Sequence, residues 1–335
     1  MSLVKATVLV TGATGFVGHA LIKNLLSDDC HVVAAVRSKQ SLSDVNIEKV
    51  NIGSISGTTD WSKALKDIDV LIHCAARAHI MNDSVADPLA EFRQVNTAGT
   101  LNLARQAAEV GVRRFVFISS IKVNGELTGS DTQPHPSPLA EGEGVKDCFS
   151  EDDVFIPADP YGLSKYEAEQ GLLALAKETG MEVVIIRPTL VYGPGVKGNF
   201  ASLLKWMKKG IPLPFGAIHN QRSLVALDNL VSFIIHCIDH PKAANEVFLI
   251  SDGKDVSTTE LLRKVAHAFG KKALLLPVPV CWMNFAAKLI GKSDVANRLF
   301  GSLQVDSSKA RELLGWKPVI TMDEQLKKIA DAYLK

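Results

Sequence analysis

The 335-residue chain reads as an α/β protein on a doubly wound parallel sheet, with a smaller mixed C-terminal lobe. Three observations predict this. Short apolar runs rich in Val and Ile recur through the first two thirds, as strands buried on both faces require. Helix-length patterns separate those runs, so successive strands are joined by crossovers and lie parallel. The first run also empties into a glycine-spaced turn that opens a helix. Composition agrees, because 47% hydrophobic and 22% charged residues suit a soluble folded chain and exclude intrinsic disorder.

Ala6–Thr11 is the first predicted strand, followed by His31–Val36, Val70–Ala75, Arg114–Ser119 and Glu182–Arg187. Pro88–Val110 is predicted as a helix because Pro88 suits the first helical position and Gly111 follows its end. Tyr161–Thr179 ends at Gly180 in the same way. After Pro188 the rhythm changes. Gly193, Pro194, Gly195 and Gly198 interrupt the chain, and Pro212 and Pro214 interrupt it again. Glu246–Ser251 is a further strand and Met322–Leu334 a terminal helix. The sheet domain is therefore placed at 1–193, completed by about 223–252 and part of the C-terminus. The lobe takes 194–222 and about 253–320. Glu126–Pro157, rich in Pro, Gly, Ser and acids, reads as a long surface loop or lid.

The net charge of +1 makes no case for a nucleic-acid or membrane-surface partner. No apolar run reaches the ~18 residues of a membrane span. The nearest, Ala273–Ile290, carries Pro277, Pro279, Asn284 and Lys288, and reads as a strand-like entry into a partly buried helix. No secretory signal is visible at the N-terminus. The five cysteines form no CxxC pair, which argues against a disulfide framework or zinc site and for a cytoplasmic protein. His236 and His240 are four apart, but no third ligand accompanies them, so no metal is expected.

Val8–Gly18 carries the first chemical signal, a Rossmann-type turn. Gly12 permits a tight bend, Gly15 lets backbone N–H groups approach a pyrophosphate, and Gly18 lets the helix pack against the sheet. The helix N-terminus adds partial positive charge. Thr14, Phe16 and Val17 lie in the same segment and are assigned to the cofactor with the glycines. Glycines serve ordinary turns too, but a strand before and a helix after make dinucleotide binding the better reading. The second strand ends Val36-Arg37-Ser38, without the carboxylate that would hold the ribose diol of NAD. Arg37 suits a 2′-phosphate, which favours NADP over NAD.

Pro160-Tyr161-Gly162-Leu163-Ser164-Lys165 is the second signal. Tyr161 and Lys165 share one helix face. A nearby ammonium, helped by a positive nicotinamide ring, would lower a phenol from its usual pKa of about 10. The tyrosine could then exchange a proton with a hydroxyl as the cofactor carries the hydride.

Together the motifs resemble the extended short-chain dehydrogenase/reductase family, in its nucleotide-sugar epimerase/dehydratase branch, over nearly the whole chain. Gly12, Gly15 and Gly18 match TGxxGxxG, and Tyr161 and Lys165 match YxxxK. The resemblance implies a catalytic Ser120, placed by matching Val123-Asn124-Gly125 to the family's VYG, with Ser119 beside it against the cofactor. It implies that Ala75 and Ala76 pass the cofactor, and that Pro188 lies near the nicotinamide. Asn96 matches a mainly structural asparagine. Asn199, Arg222 and, less closely, Arg298 resemble residues that hold a nucleotide diphosphate, a task suited to the guanidinium fork. The family's GD pair appears as Gly53-Ser54, a departure near the adenine.

The implied activity is NAD(P)-dependent 4-epimerisation of a UDP-linked hexose through a 4-keto sugar. The alternative is an NADPH-dependent 4-ketoreductase of a UDP-4-keto-6-deoxy-amino sugar, favoured by Arg37 and by similarity over Arg222–Asn229. A dehydratase fits less well, because Ile121-Lys122 stands where elimination needs acids. A small-ketone or steroid reductase would need no phosphate clamp. A non-catalytic NADP sensor would not need Tyr161, Lys165 and Ser120 together. Related enzymes imply a homodimer paired through the two long helices.

Overall fold

The computed structural model describes residues 6–27, 30–38, 42, 45–78, 87–129, 147–153, 155–289, 291 and 293–334; the side chains at 199, 293, 294 and 334 lie outside that description. In chain order the strands are β1 (Thr7–Thr11), β2 (His31–Val36), β3 (Glu48–Asn51), β4 (Val70–His73), β5 (Arg114–Ile118), β6 (Glu182–Pro188), β7 (Leu190–Tyr192), β8 (Leu224–Ala226) and β9 (Glu246–Ile250). Seven of them form one sheet in the order β3-β2-β1-β4-β5-β6-β9, with every neighbouring pair parallel. The order reverses between β1 and β4, so the carboxyl ends of those strands flank a crevice. β7 and β8 pair separately.

Each apolar run of the sequence became a strand, within two residues at its ends. β3 was not predicted. Its sequence, Glu-Lys-Val-Asn, has no apolar run because it lies at the sheet edge with half-exposed side chains.

Alternation along the strands sends side chains to two cores. Val8, Val10, Ile72, Val116 and Val184 face α1 (Phe16–Ser27) and α6 (Leu227–Asp239). Leu9, Leu71, Phe115, Phe117 and Ile185 face α3 (Thr100–Glu109) and α4 (Pro160–Thr179). Both faces are thus covered, as an all-parallel sheet requires. Arg114 crosses this interior fully buried. Its guanidinium donates to Glu182 at 2.7 Å and to the carbonyls of Cys237, Ile238 and His240 at 2.6, 3.0 and 3.0 Å. A buried charge survives only with such partners, and these tie β5, β6 and the end of α6 together.

The predicted helix Pro88–Val110 is not uniform. It runs as α2 (Pro88–Phe92), a π-helical turn (Arg93–Gly99) and then α3. Such turns commonly mark functional positions, and this one contains Asn96.

A third core, around Tyr192, Leu204, Met207, Leu224, Leu262, Val265 and Ile329, holds α5 (Gly198–Lys209), α7 (Thr258–Ala268) and α11 (Met322–Leu334) together. Here the strand-like entry and partly covered helix expected over Ala273–Ile290 are present, with little of the helix covered. Leu274–Leu276 does enter as a strand-like segment, hydrogen-bonded to Leu213 and Gly216. The helix after it, α8 (Val280–Leu289), has no buried residue. Only Val280, Met283 and Ala287 are partly covered. The remaining helices are α9 (Ser293–Phe300) and α10 (Ser308–Leu314). Of the expected loop Glu126–Pro157, Thr128 pairs with Ser302 and Phe149 with Val305, while 130–146 and 154 lie outside the described residues.

Candidate active site

The carboxyl ends of β1, β4, β5 and β6 bring the sequence motifs to one edge of the sheet. Gly12 bends out of β1 with φ +65°. A Cβ there would stand 2.6 Å from the Ala75 amide nitrogen, so the turn lies directly against the chain leaving β4. Gly15 donates its N–H to the Gly12 carbonyl at 2.8 Å, and a Cβ on Gly18 would collide with that carbonyl. Thr14 and Gly15 are exposed at the helix entrance, with Phe16 and Val17 half-buried behind them. An open turn at the N-terminus of the twelve-residue α1, pressed on backbone at β4, fits a dinucleotide pyrophosphate. Ala75 and Ala76 are the small residues flanking it. Pro188 is buried at the end of β6, in register with Ile250. Arg37 is exposed just beyond β2.

His73 closes β4 beneath this turn. Its Nδ1 is 2.7 Å from the Thr11 hydroxyl and its Nε2 is 3.0 Å from the Thr100 hydroxyl. Burial, with the Lys165 charge nearby, lowers its pKa to about 3, so the ring is neutral at working pH. Burial also pushes the neighbouring Cys74 thiol up to about 12.

α4 delivers the Tyr–Lys pair. Pro160 starts the helix and the Asp159 carboxylate caps it, accepting from the Gly162 N–H at 2.8 Å. Tyr161, Lys165 and Glu169 then fall one turn apart on a common face. The Ser120 hydroxyl lies where it favours the ionised Tyr161 phenol and pulls against the rise in its pKa. Ser120 also accepts from the Lys122 N–H at 3.3 Å, capping the short turn Ile121–Val123. The Lys165 ammonium donates to the Ile118 carbonyl at 2.8 Å and lies 4.3 Å from the Phe117 ring centroid. Burial lowers it to about 8, against the opposing pull of Glu169.

One expectation needs correction. The sequence predicts a Tyr161 phenol lowered by Lys165. The structure has it raised to about 12, first by burial and then by the Asp159 carboxylate, with only the Ser120 hydrogen bond opposing. Lys165 is turned to the β5 carbonyl and the Phe117 face instead.

Behind the pair lies a buried network that the sequence reading missed. Glu169 is completely buried and accepts from the Ser119 hydroxyl and, in bidentate fashion, from Arg187, whose Nη2 is 2.6 Å away. Arg187 Nη1 reaches Asn124 Oδ1 at 3.1 Å. The Ser119 hydroxyl is therefore committed to the protein. Asn96 holds the other flank. Its side chain bonds the Arg77 N–H at 2.8 Å, the Arg77 carbonyl at 3.1 Å and Ser164 at 3.0 Å. The available signal was the fixed spacing Tyr161, Lys165, Glu169, one helical turn at each step.

A second charged group borders the cleft. Lys122 Nζ is 2.6 Å from Glu126, 3.1 Å from Asp159 and 6.0 Å from the Tyr161 ring centroid. Arg298 on α9 lies 3.6 Å from the same Glu126. Arg222 donates to the Gly301 carbonyl at 2.9 Å; burial lowers its pKa and Glu126 partly restores it. Glu126 thus has Lys122 and Arg298 in ion-pair range, and Lys122 also faces the Tyr161 ring. Asn199 sits in the first turn of α5, its side chain outside the described residues. His236 and His240 lie elsewhere, and His236 Nε2 is 3.0 Å from the Leu314 carbonyl.

The model of the family described as "NAD dependent epimerase/dehydratase family" matches residues 8–251, which spans the turn, the pair and the whole sheet. The chain belongs to this family. A UDP-glucose 4-epimerase of Vibrio cholerae is 53% identical over 98% of this chain and 96% of that protein. Among solved structures, the UDP-glucuronic acid 4-epimerase of Bacillus cereus in complex with UDP-glucuronic acid and NAD is 25% identical, with a TM-score of 0.74 over 97% of this chain and 98% of that one. The UDP-glucose 4-epimerase of Thermotoga maritima, 24% identical with a TM-score of 0.71 over 98% of each chain, shares the fold. The matched segment holds both the glycine turn and the Tyr–Lys pair, which occupy the same sheet edge.

Proposed function

We propose that the chain is a UDP-hexose 4-epimerase that keeps its nicotinamide dinucleotide through each turnover. The observation that carries this is the buried Tyr161 phenol with the Ser120 hydroxyl acting on it, one helical turn from a buried Lys165 and at the same sheet edge as the turn of Gly12, Gly15 and Gly18. The near relative in Vibrio cholerae supports the substrate class. In the cleft the nicotinamide supplies a hydride acceptor and donor at C4 of the sugar. Gly12, Thr14, Gly15, Phe16, Val17, Gly18, Ala75 and Ala76 hold the dinucleotide, with Ser119 and Pro188 shaping the wall near its reactive end. Ser120 hydrogen-bonds the C4 oxygen. Tyr161 takes the proton of the C4 hydroxyl and returns it to the same oxygen after the keto sugar has turned, when the hydride would come back to the other face of C4. The positive cofactor ring would bring the phenol down from its buried value, with Lys165 held on the Ile118 carbonyl beside the cofactor site. Arg222, Arg298 and Asn199, from the lobe at 194–222 and about 253–320, hold the diphosphate. Two copies pair through the long helices.

Tyr161→Phe tests the assignment. Turnover of UDP-glucose should fall about 10²–10⁴-fold, with dinucleotide content and melting temperature kept. Unchanged turnover would remove Tyr161 from the chemistry.

Arg37 favours a second reading, an NADPH-dependent 4-ketoreductase acting on a UDP-4-keto-6-deoxy-amino sugar. An exposed arginine after β2 suits a 2′-phosphate, and a reductase must exchange its reductant at every turn. Mass spectrometry of small molecules released on denaturation separates the two. Near-stoichiometric NAD supports the epimerase. An empty site preferring NADPH supports the reductase.

A further inference from the structure

We propose that the outer face of the C-terminal region docks on an anionic lipid bilayer surface, with α8 lying in the interface. The apolar half of the argument is α8 itself. Trp282, Phe285 and Leu289 form one stripe at helical spacing and are exposed at 70%, 63% and 71%. Leu274 and Leu276, exposed at 51% and 54%, continue the patch toward the helix. Backbone bonds from this segment to Leu213 and Gly216 bring in the neighbouring Ile211, and Trp206 lies one turn before it on α5. Exposed large apolar side chains in such number along the α5 end, the 274–276 segment and α8 mark an interaction site.

The charged half decides the partner. The stretches Val196–Leu227 and Leu261–Leu289 hold ten basic residues and no acid. With a net charge of +1, the rest of the chain carries nine negative charges in excess. Arg222 is turned into the cleft, but the exposed lysines of these stretches still make this part of the surface basic under a near-neutral total. Lys205, Lys208, Lys209, Lys271, Lys272 and Lys288 are exposed around the apolar patch. Lys208 and Lys271 donate to the carbonyls of Tyr333 and Lys208 and keep their charge, whereas Lys264 is drawn to the carboxylate of Asp323 at 3.0 Å. A helix with Trp, Phe and Leu on its outer stripe, ringed by lysines, is the composition of an interfacial helix on anionic lipid. A duplex nucleic acid would use the lysines but leave Trp282, Phe285 and Leu289 without a role.

The test is flotation of the full-length protein with vesicles of phosphatidylcholine alone or with added phosphatidylglycerol. Binding to the anionic vesicles only is expected, weakening with salt. Trp282→Glu with Phe285→Glu should abolish it without lowering the melting temperature. Each charge reversal at Lys205, Lys208 or Lys271 should weaken it about fivefold or more. Trp61 and Trp316 are buried, so a blue shift in emission on binding comes from Trp206 and Trp282, and Trp282→Phe should reduce it. Failure to float with anionic vesicles overturns the proposal, as does undiminished binding by the double variant. It is equally overturned if the double variant splits a dimer, or abolishes duplex DNA binding, in a protein that ignores vesicles. None of these outcomes touches the Tyr161 chemistry.

Discussion

Held between the hydroxyls of Thr11 and Thr100, His73 titrates only near pH 3, against 6.5 for an unconstrained imidazole. The lowered value sets the sign of its linkage. Above pH 6.5 the ring is neutral in both folded and unfolded chains and contributes no pH dependence. Below 6.5 only the unfolded chain takes the proton, so stability falls as pH drops toward 3. The slope is about 1.4 kcal/mol per pH unit. Urea titrations across that range should show His73→Gln losing this slope while other groups keep theirs. Lys165, lowered to about 8, retains its proton at neutral pH and loses it in mild alkali. If its charge is needed beside Tyr161, kcat/KM falls above about pH 8, and Lys165→Arg moves that limb upward because guanidinium stays protonated. At this scale Tyr161, Lys165 and Ser120 were legible from their motifs. Glu169 and Arg187 were not, because their ion pair forms only when α4 packs on β6, and nothing in the local pattern of either element shows that contact.

The glycine turn shows how an element can be recognised before it is seen. A strand, three spaced glycines and an amphipathic helix are all local, and β1 and α1 form where the pattern put them. Gly18 is the position with least tolerance, since a Cβ would enter the Gly12 carbonyl. Gly18→Ala should cost about 1–3 kcal/mol of stability through overpacking. It should also weaken dinucleotide binding, measurable by calorimetry with NAD. The helix Pro88–Glu109 teaches the opposite lesson. Its ends were marked by Pro88 and Gly111, but its π-helical middle depends on Asn96 reaching both Arg77 and Ser164. α8 is covered only at Val280, Met283 and Ala287. Its residues are apolar enough for fuller burial, but among the described residues no other element covers the stripe of Trp282, Phe285 and Leu289.

At the scale of the whole molecule, the cleft joins the sheet to the C-terminal region. Lys122 and Glu126 follow β5, while Arg222 precedes β8 and Arg298 lies on α9, and Glu126 has both Lys122 and Arg298 in ion-pair range. In the proposed epimerase, Arg222→Leu should raise the KM for UDP-glucose about 10–100-fold, the loss of a charged hydrogen bond. Its kcat should change little, and steady-state kinetics separate the two. A fall in kcat alone would place Arg222 outside diphosphate binding.

Periodicity, glycine spacing and the Tyr–Lys repeat were enough to determine the sheet, its parallel sense, the dinucleotide turn and the helix bearing Tyr161. Each is a short-range pattern that local sterics and burial translate directly into structure. Tertiary structure decided what depends on neighbours brought from afar. It turned the Lys165 ammonium to Ile118, set Tyr161 at about 12 rather than below 10, and sealed the Ser119 hydroxyl onto Glu169. The physical reason is that burial and charge proximity act through space, and a sequence lists neighbours only along the chain.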